Sequence, residues 1–248
     1  MEPGLEKGKG MIANAERILV FTGAGLSTES GVPDFRSPGG IWEKYDPSDF
    51  YYQRFLSDEP AREKYWQMST ELYETLKDAA PNAAHLAIKR LEDMGKLWGI
   101  VTQNIDDLHR KAGNSPEKII EIHGTAVTVS CLHCGKEFDR TEIQARLQSG
   151  IRVPYCDSCN GPLKPDTLSF GQAMPQEKMF RANTLAEECD LCIALGSSLV
   201  VYPAASIPIH ASRSGAKLMI VNRDPTPHDA DADLVIHDSV TLALGAMV

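Results

Sequence analysis

No stretch of this sequence approaches the roughly 18 consecutive apolar residues of a membrane span, so a membrane-embedded chain is not expected. The opening Met1-Glu2-Pro3-Gly4 lacks the apolar core of a secretory signal, which points to an intracellular, cytoplasmic protein. Internal repeats and low-complexity tracts are missing too, and the composition is not that of a disordered, collagen-like or coiled-coil chain. Basic charge is in short supply: 25 Lys and Arg stand against 34 Asp and Glu, a net charge of -9. Direct nucleic-acid binding, which needs a basic face, is therefore not expected. The acidic balance suits a basic, Lys-containing partner. Cysteine is scarce, with six in the chain. In an intracellular setting these read as metal ligands or buried thiols rather than disulfides.

What is present is ordinary globular material. At roughly 100–200 residues per domain, 248 residues make one large domain or one large and one small. Continuous apolar runs recur, each ending in glycine or polar residues: Ile18-Leu19-Val20-Phe21, Leu97 to Thr102, Ile119 to Ile122, Cys192 to Leu195, Leu218 to Val221 and Leu234 to Ile236. Such runs mark buried parallel strands feeding turns. Helical stretches alternate with them, over 5–16, 82–94, 176–188 and 204–213, the last interrupted by Pro208. The alternation predicts an α/β fold with a parallel sheet and helices on both faces. Ligands in such sheets sit beyond the carboxyl ends of the strands. Two segments break the pattern. Residues 44–80 are aromatic-rich and partly helical, and residues 128–165 hold four cysteines; both read as insertions that build a second, smaller lobe.

Cys131-Leu132-His133-Cys134 and Cys156-Asp157-Ser158-Cys159 are paired knuckles separated by 21 residues. Four thiolates complete a tetrahedral shell with no open position, so a structural zinc is expected on Cys131, Cys134, Cys156 and Cys159, with His133 as a rival ligand. Cys189 and Cys192 also spell the motif. They run into a strand, where residues three apart point to opposite faces, and they read as buried hydrophobes.

Gly23-Ala24-Gly25-Leu26-Ser27-Thr28 follows a strand and is expected to open a helix. Glycines there let the backbone approach a pyrophosphate. The dehydrogenase fingerprint is incomplete, since Thr28 replaces the third glycine and no acid ends a second strand about 20 residues on. Gly31-Val32-Pro33-Asp34-Phe35-Arg36-Ser37 reads as a mobile lid, with Arg36 for phosphate and Phe35 to exclude water, or as a solvated loop with a local ion pair. Thr102-Gln103-Asn104-Ile105-Asp106 sets amides and a carboxylate at a strand end, suited to ribose hydroxyls and a carboxamide, or to helix capping. His123 ends another strand beside Gly124 and enters the same crevice.

These motifs, in this order, together with Phe170-Gly171, Gly196-Ser197-Ser198-Leu199 and Asn222-Arg223-Asp224, closely resemble the sirtuin family from about residue 10 to about residue 240. The resemblance implies an NAD-dependent protein-lysine deacylase. It implies a Rossmann-like doubly wound domain (1–43, 81–127 and 166–248) and a smaller domain made of a helical insertion (44–80) and a zinc-ribbon insertion (128–165). NAD contacts carry over to Gly23, Ala24, Gly25, Ser27, Asp34, Phe35, Arg36, Gln103, Asn104, Ile105, Asp106, Gly196, Ser197, Ser198, Asn222 and Asp224. Asn104 and Asp106 would hold the nicotinamide ribose and carboxamide, and His123 would be the general base. The acyl-lysine peptide would add as a strand between Phe170-Gly171 and Val200-Val201-Tyr202.

In the implied reaction the nicotinamide bond breaks with oxocarbenium character and the acyl oxygen attacks the sugar carbon. His123 then helps a ribose hydroxyl attack the resulting amidate. Nicotinamide, free lysine and O-acyl-ADP-ribose leave, so NAD is consumed and no hydride acceptor is needed. An unperturbed imidazole near pKa 6.5 suits this work at neutral pH. Three departures stand out. Gln172 replaces a frequent glutamate, which bears on peptide charge. Tyr65-Trp66-Gln67-Met68 lacks the Arg that a desuccinylase would show. The segment from Asp238 matches poorly, leaving an adenine contact near Val240 open. Rival readings are a protein ADP-ribosyltransferase, a non-catalytic NAD sensor and a zinc-ribbon nucleic-acid binder.

Overall fold

The computed structural model describes residues 3–248. Six strands form one sheet: β1 (Ile18–Thr22), β2 (Leu97–Thr102), β3 (Ile119–Glu121), β7 (Leu191–Leu195), β8 (Lys217–Val221) and β9 (Leu234–Ile236). Between them in sequence, β4 (Gly124–Cys131), β5 (Glu137–Asp139) and β6 (Leu163–Thr167) form a second, antiparallel sheet in the order β5-β4-β6. The large sheet runs β3-β2-β1-β7-β8-β9, and every pairing in it is parallel. Strand order reverses at β1, between β2 and β7, which opens a crevice at their carboxyl ends.

The helices are α1 (Pro3–Asn14), α2 (Ile41–Lys44), α3 (Tyr52–Ser57), α4 (Glu59–Asp78), α5 (Ala83–Asp93), α6 (Leu108–Lys111), α7 (Arg140–Gln148), α8 (Gln176–Glu188), α9 (Ser206–Arg213) and α10 (Val240–Met247). Period-two alternation in β1 divides the core. Ile18 and Val20 face a cluster with Met11, Ile88, Leu91 and Leu244, from α1, α5 and α10. Leu19 and Phe21 face Ala182, Ala186, Ile207 and Ala211, from α8 and α9. The continuous apolar runs are thus strands buried on both faces. Each such side chain contributes about 1.5–3 kcal/mol by leaving water.

A third cluster joins Trp66 of α4 to Val129, Phe138, Ile143 and Leu163, so the helical and cysteine-bearing insertions share one core. The expected boundaries at 127/128 and 165/166 fall inside β4 and β6. Arg140 is buried there, with its guanidinium 4.5 Å from the Tyr73 ring centroid and 5.4 Å from that of Trp66.

Three expectations need correction. The Gly23 loop opens two 3₁₀ turns, Ala24–Leu26 and Thr28–Ser30, rather than an α-helix. Gly31 at φ +81° ends the second turn and frees the chain for the loop beyond. Pro208 does not interrupt α9; the helix starts at Ser206, and Pro208 lies in the first turn, where a missing N–H costs nothing. Cys189 and Cys192 do not point apart. Cys189 caps α8 before the strand begins, and both thiols bury in the same cluster, with burial pushing Cys189 up to about 12.

Candidate functional site

The glycine turns after β1 and β7 interlock. Gly25 N–H donates to the Gly196 carbonyl at 2.9 Å. A Cβ on Gly23 would lie 2.7 Å from that oxygen, and a Cβ on Gly196 would lie 2.3 Å from the Leu26 nitrogen. Side chains are excluded there by backbone packing. The turn after β2 closes the third side: Gln103 N–H bonds the Thr22 carbonyl at 2.9 Å, and Ser197 Oγ donates to Gln103 Oε1 at 2.8 Å.

Asn104 is buried and its Nδ2 donates to the Gly23 carbonyl and to Ser27 Oγ, both at 3.1 Å. Ser27 Oγ donates to Asp106 Oδ2 at 2.7 Å, while Asp106 Oδ1 accepts the Leu108 N–H at 3.0 Å. Burial pushes the Asp106 carboxyl above the usual range, against these two bonds, which favour the anion. One continuous network therefore fixes the Gly23 loop against the 104–106 turn.

His123 is half-buried between β3 and β4, and its carbonyl accepts the Leu168 N–H at 2.7 Å. Burial pulls its imidazole below 6.5, with the Gln103 backbone acting in the opposite sense. The ring is neutral at pH 7 and able to accept a proton.

A cleft of about 430 Å³ lies over these groups and is lined by Gly23, Ala24, Gly25, Gln103, Asn104 and His123 among others. Asp34, Phe35, Arg36, Gly196, Ser197, Ser198, Asn222 and Asp224 line it as well. Ser27, Ile105 and Asp106 sit behind, around a smaller recess that Phe35 and Asn104 share. The loop bearing Phe35 is folded. Asp34 Oδ1 accepts the Arg36 and Ser37 N–H groups at 3.0 and 2.8 Å, so the carboxylate shapes the loop instead of pairing with the Arg36 guanidinium. Arg36 is exposed and forms no salt bridge among the described residues.

Sequence reasoning missed Thr28, Glu29, Ser37, Pro38, Arg223, Asp238 and Ser239 in this lining, and left Val240 open; the structure brings all of them to the cleft. The signal for the last three was local. Ser239 is the N-cap of α10, accepting the Leu242 N–H at 3.2 Å, and that helix starts at the carboxyl end of β9.

The residues named for peptide lie to one side. Val201 lines the cleft, whereas Phe170, Val200 and Tyr202 are exposed apolar groups beyond it. Phe170 stacks 6.0 Å from Trp42, itself 5.5 Å from Phe35, so an aromatic row runs from the lid to this edge. The Phe170 carbonyl already accepts the Tyr52 N–H at 2.9 Å. Gln172 Oε1 accepts the Ser169 N–H at 3.1 Å and closes its own turn. Tyr65 is buried and bonds Thr167 at 2.8 Å, far from a substrate-facing role.

The sulfurs of Cys131, Cys134, Cys156 and Cys159 all lie within 4.8 Å of one another, and two of the pairs are at 3.4 and 3.7 Å. Four thiolates about 2.3 Å from one ion would stand roughly 3.8 Å apart, so the set fits tetrahedral zinc. His133 is not in this group; its ring lies against Gly161.

A parallel doubly wound sheet with interlocked glycine turns at its switch point, beside a four-cysteine ribbon, defines a nucleotide-using enzyme class with a structural metal. The Sir2 family model matches residues 23–203. An NAD-dependent protein deacetylase of Rhodopseudomonas palustris is 43% identical over 248 residues, covering 100% of this chain and 97% of that protein. NAD-dependent protein deacetylase 1 of Bradyrhizobium diazoefficiens is 45% identical over 249 residues, covering 100% and 96%. A solved Sir2 structure with deacetylated p53 peptide and 3'-O-acetyl ADP ribose superposes with TM-score 0.91 at 38% identity, covering 98% of this chain and 97% of that one. The chain belongs to the Sir2 family.

Proposed function

We propose that this protein is an NAD-dependent protein-lysine deacetylase that moves the acyl group to ADP-ribose and releases nicotinamide. The observation that carries it is the Ser27–Asn104–Asp106 network, which holds Asn104 in one cleft with a neutral His123. The fit to NAD rests on the two glycine turns, which keep side chains away from the crevice, and on the cleft volume. NAD, when bound, supplies the activated bond between nicotinamide and a sugar carbon.

The chain's own groups do the rest. Backbone around Gly23 and Gly196, with Ser197 and Asn222, holds the nucleotide, and Arg36 faces its phosphates. Asn104 and Asp106 orient the ribose and the carboxamide. Phe35 keeps water from the sugar carbon. His123 accepts the proton of the ribose hydroxyl. Phe170, Gly171, Val200, Val201 and Tyr202 receive the peptide carrying the acyl-lysine. The four cysteines would hold zinc in a closed shell, and the ion would keep the ribbon folded.

The insertions 44–80 and 128–165 are read as the smaller lobe, supported by the core they share. We read the location as cytoplasmic, which the gathering of four of the six cysteines as thiol metal ligands supports. No helix among the described residues is long and apolar enough to cross a membrane.

Mass spectrometry of an acetyl-lysine peptide panel with and without NAD tests the reading. Stoichiometric nicotinamide, free lysine and O-acetyl-ADP-ribose are expected. NAD-derived label that stays on protein, with the peptide acetyl groups intact, would point to ADP-ribosyl transfer instead.

A further inference from the structure

We propose that His109 is a positioning residue for Asn104, acting through the buried hydroxyl pair Thr22–Thr102. The inference rests on the proposed role of Asn104 and extends it one layer back into the fold.

Thr22 and Thr102 are register partners at the carboxyl ends of β1 and β2. Thr22 Oγ1 donates to Thr102 Oγ1 at 2.8 Å, and Thr102 Oγ1 also accepts the Asn104 N–H at 3.0 Å. His109, on the short helix α6, brings Nε2 to 3.1 Å from Thr22 Oγ1. With the Thr22 proton committed to Thr102, Nε2 carries the His109 proton and donates. A single row of bonds thus runs from His109 through both hydroxyls to the backbone of Asn104. The Asn104 side chain continues it to Gly23 and Ser27.

The ring is held from behind. The His85 ring lies edge-on at 5.2 Å, and His85 belongs to the first turn of α5, capped by Asn82. Asn82 Nδ2 bonds the Leu26 carbonyl at 2.8 Å, so this layer grips the Gly23–Ser27 loop from its far end as well.

Core filling alone does not explain a histidine here. His109 is 3% exposed and its Nδ1 has no partner among the described residues. An orphaned buried nitrogen costs stability that an aliphatic side chain of similar size would avoid. Burial drives its pKa to about 3, so the imidazole stays neutral and uncharged across the working range. What the ring alone supplies is the bond to Thr22, and through it the register of the turn that aims Asn104. A turn displaced by a fraction of an ångström misplaces the amide before the nicotinamide bond breaks.

The full chain with its zinc is the test object. Thr22→Val is β-branched and isosteric but removes the hydroxyl; Thr22→Ser restores it. His109→Gln keeps an Nε2 donor at similar reach, and His109→Leu does not. Nicotinamide exchange, deacetylation kcat, peptide KM, melting temperature and zinc content are measured for each, with Asn104→Ala alongside. Thr22→Val and His109→Leu are expected to lower kcat of both exchange and deacetylation by roughly 10- to 100-fold with peptide KM unchanged. Thr22→Ser and His109→Gln are expected to recover most of it. Should His109→Leu fail to fold, Thr22→Val decides. If Asn104→Ala is inactive while Thr22→Val retains the parent kcat, the positioning role is wrong and Asn104 stands. Equal loss in His109→Gln and His109→Leu also overturns it, because that pattern marks ring packing alone. An active Asn104→Ala enzyme removes the reading of Asn104 and the proposal with it.

Discussion

Gly124 follows His123 as the first residue of β4 in the small sheet, and replacing it with alanine tests how closely that sheet holds the proposed base. Its φ is +79°, which L side chains adopt at a cost of about 1–2 kcal/mol. A Cβ there would lie 1.8 Å from the Asp166 carbonyl oxygen, 2.9 Å from its carbonyl carbon and 3.1 Å from Thr167 Cα. All three atoms are backbone of β6, so no rotamer change relieves the overlap and the strand has to recede. Overpacking of this kind adds about 3 kcal/mol. Gly95 supplies the control, since its φ is +73° and nothing lies within 4 Å of its Cβ position. Gly95→Ala should cost only the conformational part, about 1–2 kcal/mol, and Gly124→Ala about 4 kcal/mol in all. At about 2–4 °C per kcal/mol for a chain of this size, melting should fall by about 10 °C for Gly124→Ala and by a few degrees for Gly95→Ala. Recession of β6 also pulls Leu168 from the His123 carbonyl, a bond of 2.7 Å. Deacetylation per folded molecule should therefore drop in Gly124→Ala and hold in Gly95→Ala. Calorimetry and a peptide deacetylation assay on the soluble, folded fraction check both halves. Equal melting shifts in the two variants would refute the reasoning.

His123→Ala should fold and bind NAD yet deacetylate roughly 10²–10⁴-fold more slowly, with nicotinamide exchange surviving better; deacetylation within a few-fold of the parent would falsify the assignment. Because burial lowers the His123 pKa, the wild-type rate should fall with acid only below pH 6.5, and an acid limb centred above that value counts against it. His85 and His109 are held at about 4 and about 3 by burial. The unfolded chain takes up those two protons near pH 6.5 and the folded one does not, so stability is full above 6.5 and is lost as pH falls toward 4. The loss from pH 7 to 5 is about 4 kcal/mol, read from urea midpoints, and His85→Phe should remove about half of that pH dependence. A His85→Phe slope equal to the parent's rules this out. Cys131→Ser should lose zinc and unfold the insertion sheet first, seen as early hydrogen exchange over β4–β6; a variant that keeps stoichiometric metal contradicts it. NAD should slow hydrogen exchange across residues 28–42, and unchanged exchange there would remove the lid.

The sequence by itself determined the buried strands, the cysteine knuckles and the polar strand endings, all of which rest on local pattern. Apolar runs such as Ile18–Phe21 are buried on both faces, and nothing but a covered parallel sheet accommodates them. Two CxxC knuckles carry their own geometry, because residues three apart on a tight turn bring sulfurs together wherever the rest of the chain goes. The glycine turn and the polar Gln103–Asp106 stretch were legible for the same reason, as strand endings with residue types unsuited to a core. What the tertiary structure decided was contact between distant segments. That Asn104 reaches Gly23 and Ser27, 81 and 77 residues away, depends on β1 and β2 being neighbours in the sheet. The Ser239 cap marks where α10 starts, but that Val240 lines the same cleft as the Gly23 turn depends on β9 lying beside β8 in the sheet. Cys189 and Cys192 bury in one cluster because Cys189 caps α8 outside the strand and only Cys192 lies in β7, so the strand rule did not apply. His109 carried no pattern at all in the chain. Its environment is made by β1 and α5, whose Thr22 and His85 stand 87 and 24 positions away, and only packing could bring them around one ring.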